Sequence, residues 1–188
     1  MSPAKIMIIR HAEKPVPEGA DGVAPGGLPD PESLSEIGWR RAHALVGFFK
    51  EPSAEHIQTP DIIFAAAPEV GSKRPAETVT PLAETLWTEA DVAQRFNTSI
   101  PKEKVQRLAR SLIAVDGVAL VSWEHKLIPA VVAALPNPPA TPTQWPGCRF
   151  DVVWILDARS GGWDFHQTPQ MLLDGDQNSV IPFSALTP

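Results

Sequence analysis

The sequence of 188 residues is short of cysteine and of basic residues, and each shortage excludes a class of protein. Its one cysteine, Cys148, excludes an internal disulfide and a zinc site built from several cysteines. We expect this side chain to be a small, partly buried filler. Sixteen Lys and Arg residues against 22 Asp and Glu give a formal net charge of -6, which argues against nucleic acid or an anionic membrane as the main partner.

Long hydrophobic runs are also missing. No apolar stretch approaches the roughly 20 residues that a transmembrane helix needs. Residues 1–5 lack the ordered basic, apolar and small-residue regions of a signal peptide, so we expect a cytoplasmic protein. The hydrophobic content of 43% and charged content of 20% are typical of a globular protein, and the length predicts one domain over residues 1–188.

Short apolar runs alternate with helical patterns along the chain, which is typical of an α/β fold with a mostly parallel sheet. Residues 15–33 are so rich in Pro and Gly that we expect a long loop without helix or strand. The last strands follow a non-helical connection, which predicts an antiparallel edge. The predicted strands are 5–9, 61–66, 91–96, 117–123, 151–157 and 163–167, and the predicted helices are 36–50 (with Ser35 as N-cap), 75–87, 101–114 and 127–135.

Three of these strands lead to basic or histidine side chains. Arg10 and His11 directly follow the first strand, a loop after the second leads to Arg74, and Glu124 and His125 follow the strand over 117–123. Parallel strands end at one edge of a sheet, and ligands bind beyond that edge. The helix N-termini that follow two of these strands favour an anion such as phosphate.

The combination of arginine and histidine suits phosphoryl transfer. A histidine that attacks phosphorus must be neutral, and nearby arginines lower its pKa by repulsion of like charges. The same arginines can hold phosphoryl oxygens in a bidentate manner, which lysine does poorly. A phosphohistidine intermediate then divides one difficult displacement into two easier ones.

Four segments in this order resemble the histidine phosphatase superfamily, which includes the phosphoglycerate mutase-like enzymes. The resemblance implies a three-layer α/β/α sandwich, His11 as nucleophile, and Arg10, Arg74 and His125 as the phosphate pocket. It also implies that His125 helps to stabilise the transferring phosphoryl group. The segments are Ile8–Glu13, Leu34–Ala42, Arg74–Thr78 and Val121–His125.

The sequence leaves the general acid open. Glu124, next to His125, is the first candidate, although a structural ion pair would explain it equally well. Glu13 is the second, and Glu84 and Glu89 lie nearby in the sequence without convincing surroundings. Small members of the superfamily that act on phosphohistidine manage without a strong acid, so the resemblance also allows none.

We therefore expect a phosphatase that hydrolyses a phosphate monoester or phosphohistidine through a phosphohistidine on His11. It would use no metal and no cofactor, and its substrate would be a phosphorylated small molecule or a phosphoprotein. The alternatives are a non-catalytic phosphate-binding or interaction module and, third, a phosphomutase. A metal bound by His11, Glu13 and His125 is disfavoured because the neighbouring arginines repel cations.

The remaining histidines, His43, His56 and His166, have no matching partners in the sequence, and we expect them at the surface or in packing roles. Asp174, Asp176 and Asn178 look like part of a calcium loop but lack its other ligands. We expect them to form a turn.

Overall fold

A run of six buried residues, Lys5–Arg10, makes the first strand the centre of the sheet. In the computed structural model of the protein, which describes residues 3–17, 20–68 and 73–183, this strand has neighbours on both sides. The elements are β1 (Lys5–Arg10), β2 (Gly22–Val23), β3 (Pro29–Asp30), α1 (Glu36–Lys50), β4 (Ile62–Ala66), α2 (Lys73–Leu86), α3 (Glu89–Arg95), β5 (Phe96–Ile100), α4 (Val105–Ile113), β6 (Val118–Trp123), α5 (Ile128–Ala133), β7 (Val152–Arg159) and β8 (Gly162–Pro169).

The main sheet has the strand order β5-β4-β6-β1-β7-β8. Strands β5, β4, β6 and β1 run parallel to one another, so their carboxyl ends share one edge. Strand β7 runs antiparallel to both β1 and β8. The predicted mostly parallel α/β sheet with antiparallel pairing at its edge is confirmed.

Helices cover both faces of this sheet. Between the two charged ends of β1, alternate residues point to opposite faces, and both sets are apolar, so both faces are buried. On one face Met7 and Ile9 join the core formed with α1 and α2, which includes Leu45, Phe49 and Leu82. On the other face Ile6 and Ile8 join the core formed with α4 and α5, which includes Leu108, Leu112 and Val131. This is the predicted three-layer arrangement.

The start of α1 follows its sequence signal. Ser35 caps the helix, and its Oγ accepts a hydrogen bond from the backbone N–H of Gly38 at 3.0 Å. Gly38 is required because a Cβ at this position would collide with the backbone carbonyl oxygen of Glu13. The backbone of α1 therefore packs directly against the backbone of the segment that follows β1.

Three sequence predictions are wrong. Within 15–33, β2 and β3 form a two-stranded antiparallel ribbon that pairs Val23 with Pro29, at an edge where proline is tolerated. Residues 91–96, predicted as a strand, lie mostly in α3, which Thr88 caps; the strand β5 begins only at Phe96. Cys148 is exposed rather than a partly buried filler.

Some predicted features lie partly beyond the described ranges, including most of the loop before α2. Within the described ranges, no helix has the length and apolar character to cross a membrane.

Candidate functional site

The ends of β1 and β6 place the two predicted histidines on neighbouring strands. Arg10 is paired with Trp123 in the parallel register, and the backbone N–H of His11 donates to the carbonyl oxygen of Trp123 at 3.0 Å. His125 follows Trp123 by two residues. The predicted meeting of the Arg10–His11 and Glu124–His125 segments is therefore present at the carboxyl edge of the sheet.

His11 is buried, and its ring is fixed in one tautomer. Nδ1 lies 2.7 Å from the carbonyl oxygen of Ala12. A carbonyl can only accept, so Nδ1 carries the proton and the lone pair of the neutral ring is on Nε2. Burial, followed by the charge of Arg10, lowers the pKa of His11 to about 3. The ring is therefore neutral at pH 7, as an attacking histidine must be.

Arg10 is buried, and among the described residues no carboxylate lies within hydrogen-bond distance of it. Its Nη1 donates to the carbonyl oxygens of Gly147 at 2.6 Å and of Arg149 at 3.4 Å. Its guanidinium carbon lies 3.7 Å from the centre of the Phe150 ring, a cation–π contact. Its Nε is buried with no hydrogen-bond partner among the described residues. Burial lowers the pKa of Arg10 to about 10, so the side chain stays charged at pH 7.

His125 is half-buried and faces the same charge. Burial, followed by the charge of Arg10, lowers the pKa of His125 to about 4, so its ring is also neutral at pH 7. Its Nδ1 is buried and has no partner among the described residues. A Cβ at Gly147 would lie 3.8 Å from His125 Nε2, so the backbone that accepts from Arg10 also lines the space beside His125.

Arg74 is held by backbone carbonyls of the segment before α1. Its Nη2 donates to Pro31 O at 2.7 Å and its Nε to Ser33 O at 3.3 Å. Like Arg10, it has no carboxylate among these hydrogen-bond partners. Its positive charge contributes to the lowered pKa of His11, which places it within electrostatic reach of that ring.

Thr78 connects α2 to the segment that carries the nucleophile, and sequence reasoning missed it. The backbone N–H of Ala12 donates to Thr78 Oγ1 at 2.8 Å, and the hydroxyl donates to the carbonyl oxygen of Arg74 at 2.7 Å. Thr78 is fully buried. Its place at the end of the Arg74–Thr78 segment was the available signal, whereas nothing local to Phe150 indicates its contact with Arg10.

Glu77 is a second residue that the sequence did not single out. Its carboxylate accepts from Ser33 Oγ at 2.7 Å and from the backbone N–H of Leu34 at 2.9 Å. Burial raises its pKa. These contacts fix the segment whose carbonyls hold Arg74, so Glu77 supports the site without facing it directly.

The first and second general-acid candidates, Glu124 and Glu13, are each in an ion pair. Glu124 Oε2 lies 3.2 Å from Lys102 Nζ. Glu13 Oε1 accepts from Arg41 at 2.9 Å (Nε) and 2.7 Å (Nη2), while Glu13 Oε2 is buried with no partner among the described residues. Glu84 and Glu89 are exposed on α2 and α3.

Arg41 completes a buried polar network beside the site. It also donates to both carboxylate oxygens of Asp176, at 2.7 and 3.1 Å, and to Gln170 at 2.9 Å. Asp176 accepts from the backbone N–H groups of Leu172 and Leu173, which is the predicted turn. A cavity of about 250 Å³ opens here, lined among others by Glu13, Cys148 and Phe150.

Of the remaining histidines, His43 is exposed on α1 and lies against Trp39, in agreement with a surface or packing role. His56 and His166 are partly exposed and contact each other, which also agrees with a surface or packing role. Their rings stack with centroids 3.8 Å apart, beside Asp157.

Comparison with known proteins gives similarity only at the level of the fold. No family model matches the sequence, and no curated protein does. A candidate alpha-ribazole-5'-P phosphatase from Escherichia coli is similar over 94% of this chain and 99% of that chain, with 14% identity and a TM-score of 0.53. A candidate phosphohistidine phosphatase SixA from Agrobacterium tumefaciens has 17% identity and a TM-score of 0.48 over 87% of this chain and 95% of that chain.

The chain therefore shares the fold of the candidate alpha-ribazole-5'-P phosphatase, and this fold agrees with the α/β sandwich that the sequence resemblance implied.

Proposed function

We propose that the protein is a phosphatase that transfers a phosphoryl group to Nε2 of His11 and then to water. The observation that carries the proposal is the state of His11 beside Arg10. A buried neutral imidazole donates its Nδ1–H to Ala12 O, and next to it lies a buried guanidinium that has no carboxylate within hydrogen-bond distance among the described residues. A phosphoryl group would receive the lone pair from the first and charge stabilisation from the second.

In the first step the Nε2 lone pair attacks phosphorus and the bond from phosphorus to the leaving group breaks. Arg10, Arg74 and His125 would hold the three phosphoryl oxygens, because the site of phosphoryl transfer acts mainly by positioning and charge. In the second step water attacks the phosphohistidine, the P–N bond breaks, and its electron pair returns to Nε2. The water proton leaves with phosphate or solvent.

The ion pairs of Glu124 and Glu13 indicate which leaving groups the site favours. Glu124 and Glu13 are the first and second candidates for protonating the leaving group, and both carboxylates already face a cation. A leaving group that departs readily, such as the imidazole of phosphohistidine or an aryl oxide, depends least on such a donor. We therefore place phosphohistidine and activated phosphate esters before alkyl phosphates as substrates.

The test compares the wild-type protein with His11→Ala on an aryl phosphate and on a phosphohistidine peptide. His43→Ala is the matched control, since His43 is an exposed histidine outside the site. We expect turnover and an acid-labile phosphoprotein in the wild type and in His43→Ala, and neither in His11→Ala. Equal rates in all three proteins would contradict the covalent mechanism.

The alternative to an enzyme is a module that binds phosphate without turnover. The same feature of Arg10 favours it, because this guanidinium hydrogen-bonds to carbonyl oxygens and could bind an anion. Calorimetry with inorganic phosphate separates the two. Binding that depends on Arg10 and Arg74, with no phosphoprotein formed and no product released, would support the module.

Separate pH–rate profiles of Glu124→Gln and Glu13→Gln test which residue is the general acid. An unchanged profile in either variant removes that candidate.

A further inference from the structure

A cluster of two histidines and an aspartate lies at the opposite end of β1 from the candidate functional site. Lys5 begins β1 and Arg10 ends it. At about 3.3 Å per residue, the two ends are about 17 Å apart. Asp157 of β7 is the cross-strand partner of Lys5, and His166 is on β8, while His56 belongs to the connection between α1 and β4.

The ligand atoms of these three side chains face one another. Asp157 Oδ2 lies 3.5 Å from His56 Nδ1 and 3.9 Å from His166 Nε2. One such atom from each residue lies within 4.8 Å of the other two. The imidazoles stack at 3.8 Å with an angle of 11° between their planes.

The cluster is held in place by its surroundings. His56 has a φ of 63°, a left-handed conformation that is uncommon outside glycine. Its carbonyl oxygen accepts from Lys5 Nζ at 2.8 Å, which helps to hold that conformation. Lys5 Nζ also lies 2.6 Å from Asp157 Oδ1, which leaves Oδ2 directed to the histidines.

We propose that His56, Asp157 and His166 bind a divalent transition-metal ion of the zinc type, separate from the phosphate pocket. Two imidazoles and a carboxylate are a common ligand set for such ions, with solvent in the fourth position. Bonds of about 2.1 Å in a tetrahedron separate ligand atoms by about 3.4 Å, close to the 3.5 Å between Asp157 and His56.

Binding requires one ring to turn out of the stack, so that both nitrogen lone pairs meet the ion. The side chains of His56 and His166 are 32% and 36% exposed, which leaves room for this rotation. The charge of Lys5 opposes the ion. The carboxylate of Glu55, 3.4 Å from His56 Nε2, favours it. The bound ion would fasten the connection after α1 to β7 and β8.

The test titrates the full chain with Zn²⁺ by calorimetry and with Co²⁺ by visible absorption. The variants are His166→Ala and His56→Asn, since asparagine tolerates the positive φ at position 56. The controls are His43→Ala, an exposed histidine elsewhere, and His11→Ala, which removes the candidate nucleophile. Circular dichroism checks that each variant is folded, and His166→Ala carries the test alone if His56→Asn is not.

We expect one ion per chain in the wild type and in both controls, with a Co²⁺ absorption band and a thermal midpoint that rises with Zn²⁺. The affinity should fall by more than about tenfold in His166→Ala and His56→Asn. Wild-type affinity in the folded His166→Ala protein, or loss of binding in His11→Ala, would overturn the proposal. The phosphatase proposal is tested by separate substrates and does not depend on this result.

Discussion

Arg10 and Arg41 are both buried arginines near the carboxyl end of β1, and they differ in what surrounds the charge. Arg41 contacts two carboxylates, those of Glu13 and Asp176, at 2.7 Å each. Arg10 contacts two carbonyl oxygens and the face of Phe150. The charge of Arg41 is therefore neutralised within the protein, whereas that of Arg10 remains available to an anion.

The pKa shifts of the two residues run in opposite directions. Burial alone would lower the pKa of Arg41, but the hydrogen bonds of Asp176 and Glu13 outweigh it and raise the pKa above its usual value. Burial lowers the pKa of Arg10 to about 10. A buried cation with no hydrogen-bonded carboxylate among the described residues suggests a binding role, while a buried cation with two such carboxylates suggests a structural one.

The largest expected effect is on stability, in Arg41→Met. Removing this guanidinium leaves Glu13 and Asp176 close together without their cation, which typically costs about 3–5 kcal/mol in the free energy of unfolding. Denaturant titration measures it. The folded fraction should retain its phosphate affinity, and loss of that affinity in folded Arg41→Met would remove the distinction between the two arginines.

The reverse pattern is expected in Arg10→Met. Removing a group that stabilises developing charge typically lowers kcat/KM by about 10²–10³. The free energy of unfolding should fall by less than in Arg41→Met, because no carboxylate loses its partner. Steady-state kinetics and denaturant titration of both variants give the comparison, and a larger stability loss in Arg10→Met would reverse our assignment of roles.

A smaller effect is expected from the hydroxyl of Thr78, which links the nucleophile segment to α2 without any charge. Thr78→Val leaves the backbone N–H of Ala12 buried without an acceptor, at a typical cost of about 1–3 kcal/mol. Thr78→Ser keeps the hydroxyl and is the matched control. Equal stability of Thr78→Val and the wild type would show that this hydrogen bond adds nothing to the fold.

The smallest expected effect is the change in the histidine pKa values when each arginine is removed. Arg10 is the second cause of the lowered pKa of both His11 and His125, so Arg10→Met should raise both values. Arg41→Met should shift them less, because the guanidinium of Arg41 lies against Glu13 and Asp176 rather than against either histidine ring. Histidine NMR titration measures both, and equal shifts in the two variants would contradict the comparison.

The same pKa values set the sign of the pH dependence of stability. The folded pKa values, about 3 for His11 and about 4 for His125, lie below the 6.5 of an unfolded histidine. Their contribution is thus fully present above about pH 6.5 and is lost as the pH falls toward 3. The unfolding free energy should fall by up to about 1.4 kcal/mol per pH unit for His11 in this window, and by less for the half-buried His125, because solvent screens its interactions. His11→Asn should reduce that slope.

The elements with continuous local patterns were predictable. The apolar run of β1 and the Ser35 cap of α1 identify those elements because the interactions that form them lie within a few residues. The sequence predicted a strand where α3 lies because residues 91–96 mix polar and apolar side chains over only six positions, and this pattern does not distinguish a strand from a helix.

In the candidate site, too, some features follow from local sequence and others depend on contacts between distant residues. Arg10, His11 and His125 could be predicted because each follows a strand of the parallel sheet. The contacts of Arg10 with Gly147 and Phe150 join positions about 140 residues apart, so no local pattern contains them. Likewise the sequence left open whether Glu124 is an acid or part of an ion pair, because its partner Lys102 comes beside it only in the folded chain.

At Gly38 the backbone of α1, rather than one of its side chains, packs against the segment that carries His11. The helix meets the carbonyl of Glu13 with no side chain between them, and Glu13 is two residues beyond His11. Any residue larger than glycine at position 38 would have to displace either the helix or the nucleophile segment. For anyone redesigning this protein, position 38 is therefore fixed, and the solvent-facing side of α1 is where sequence can be changed without moving His11.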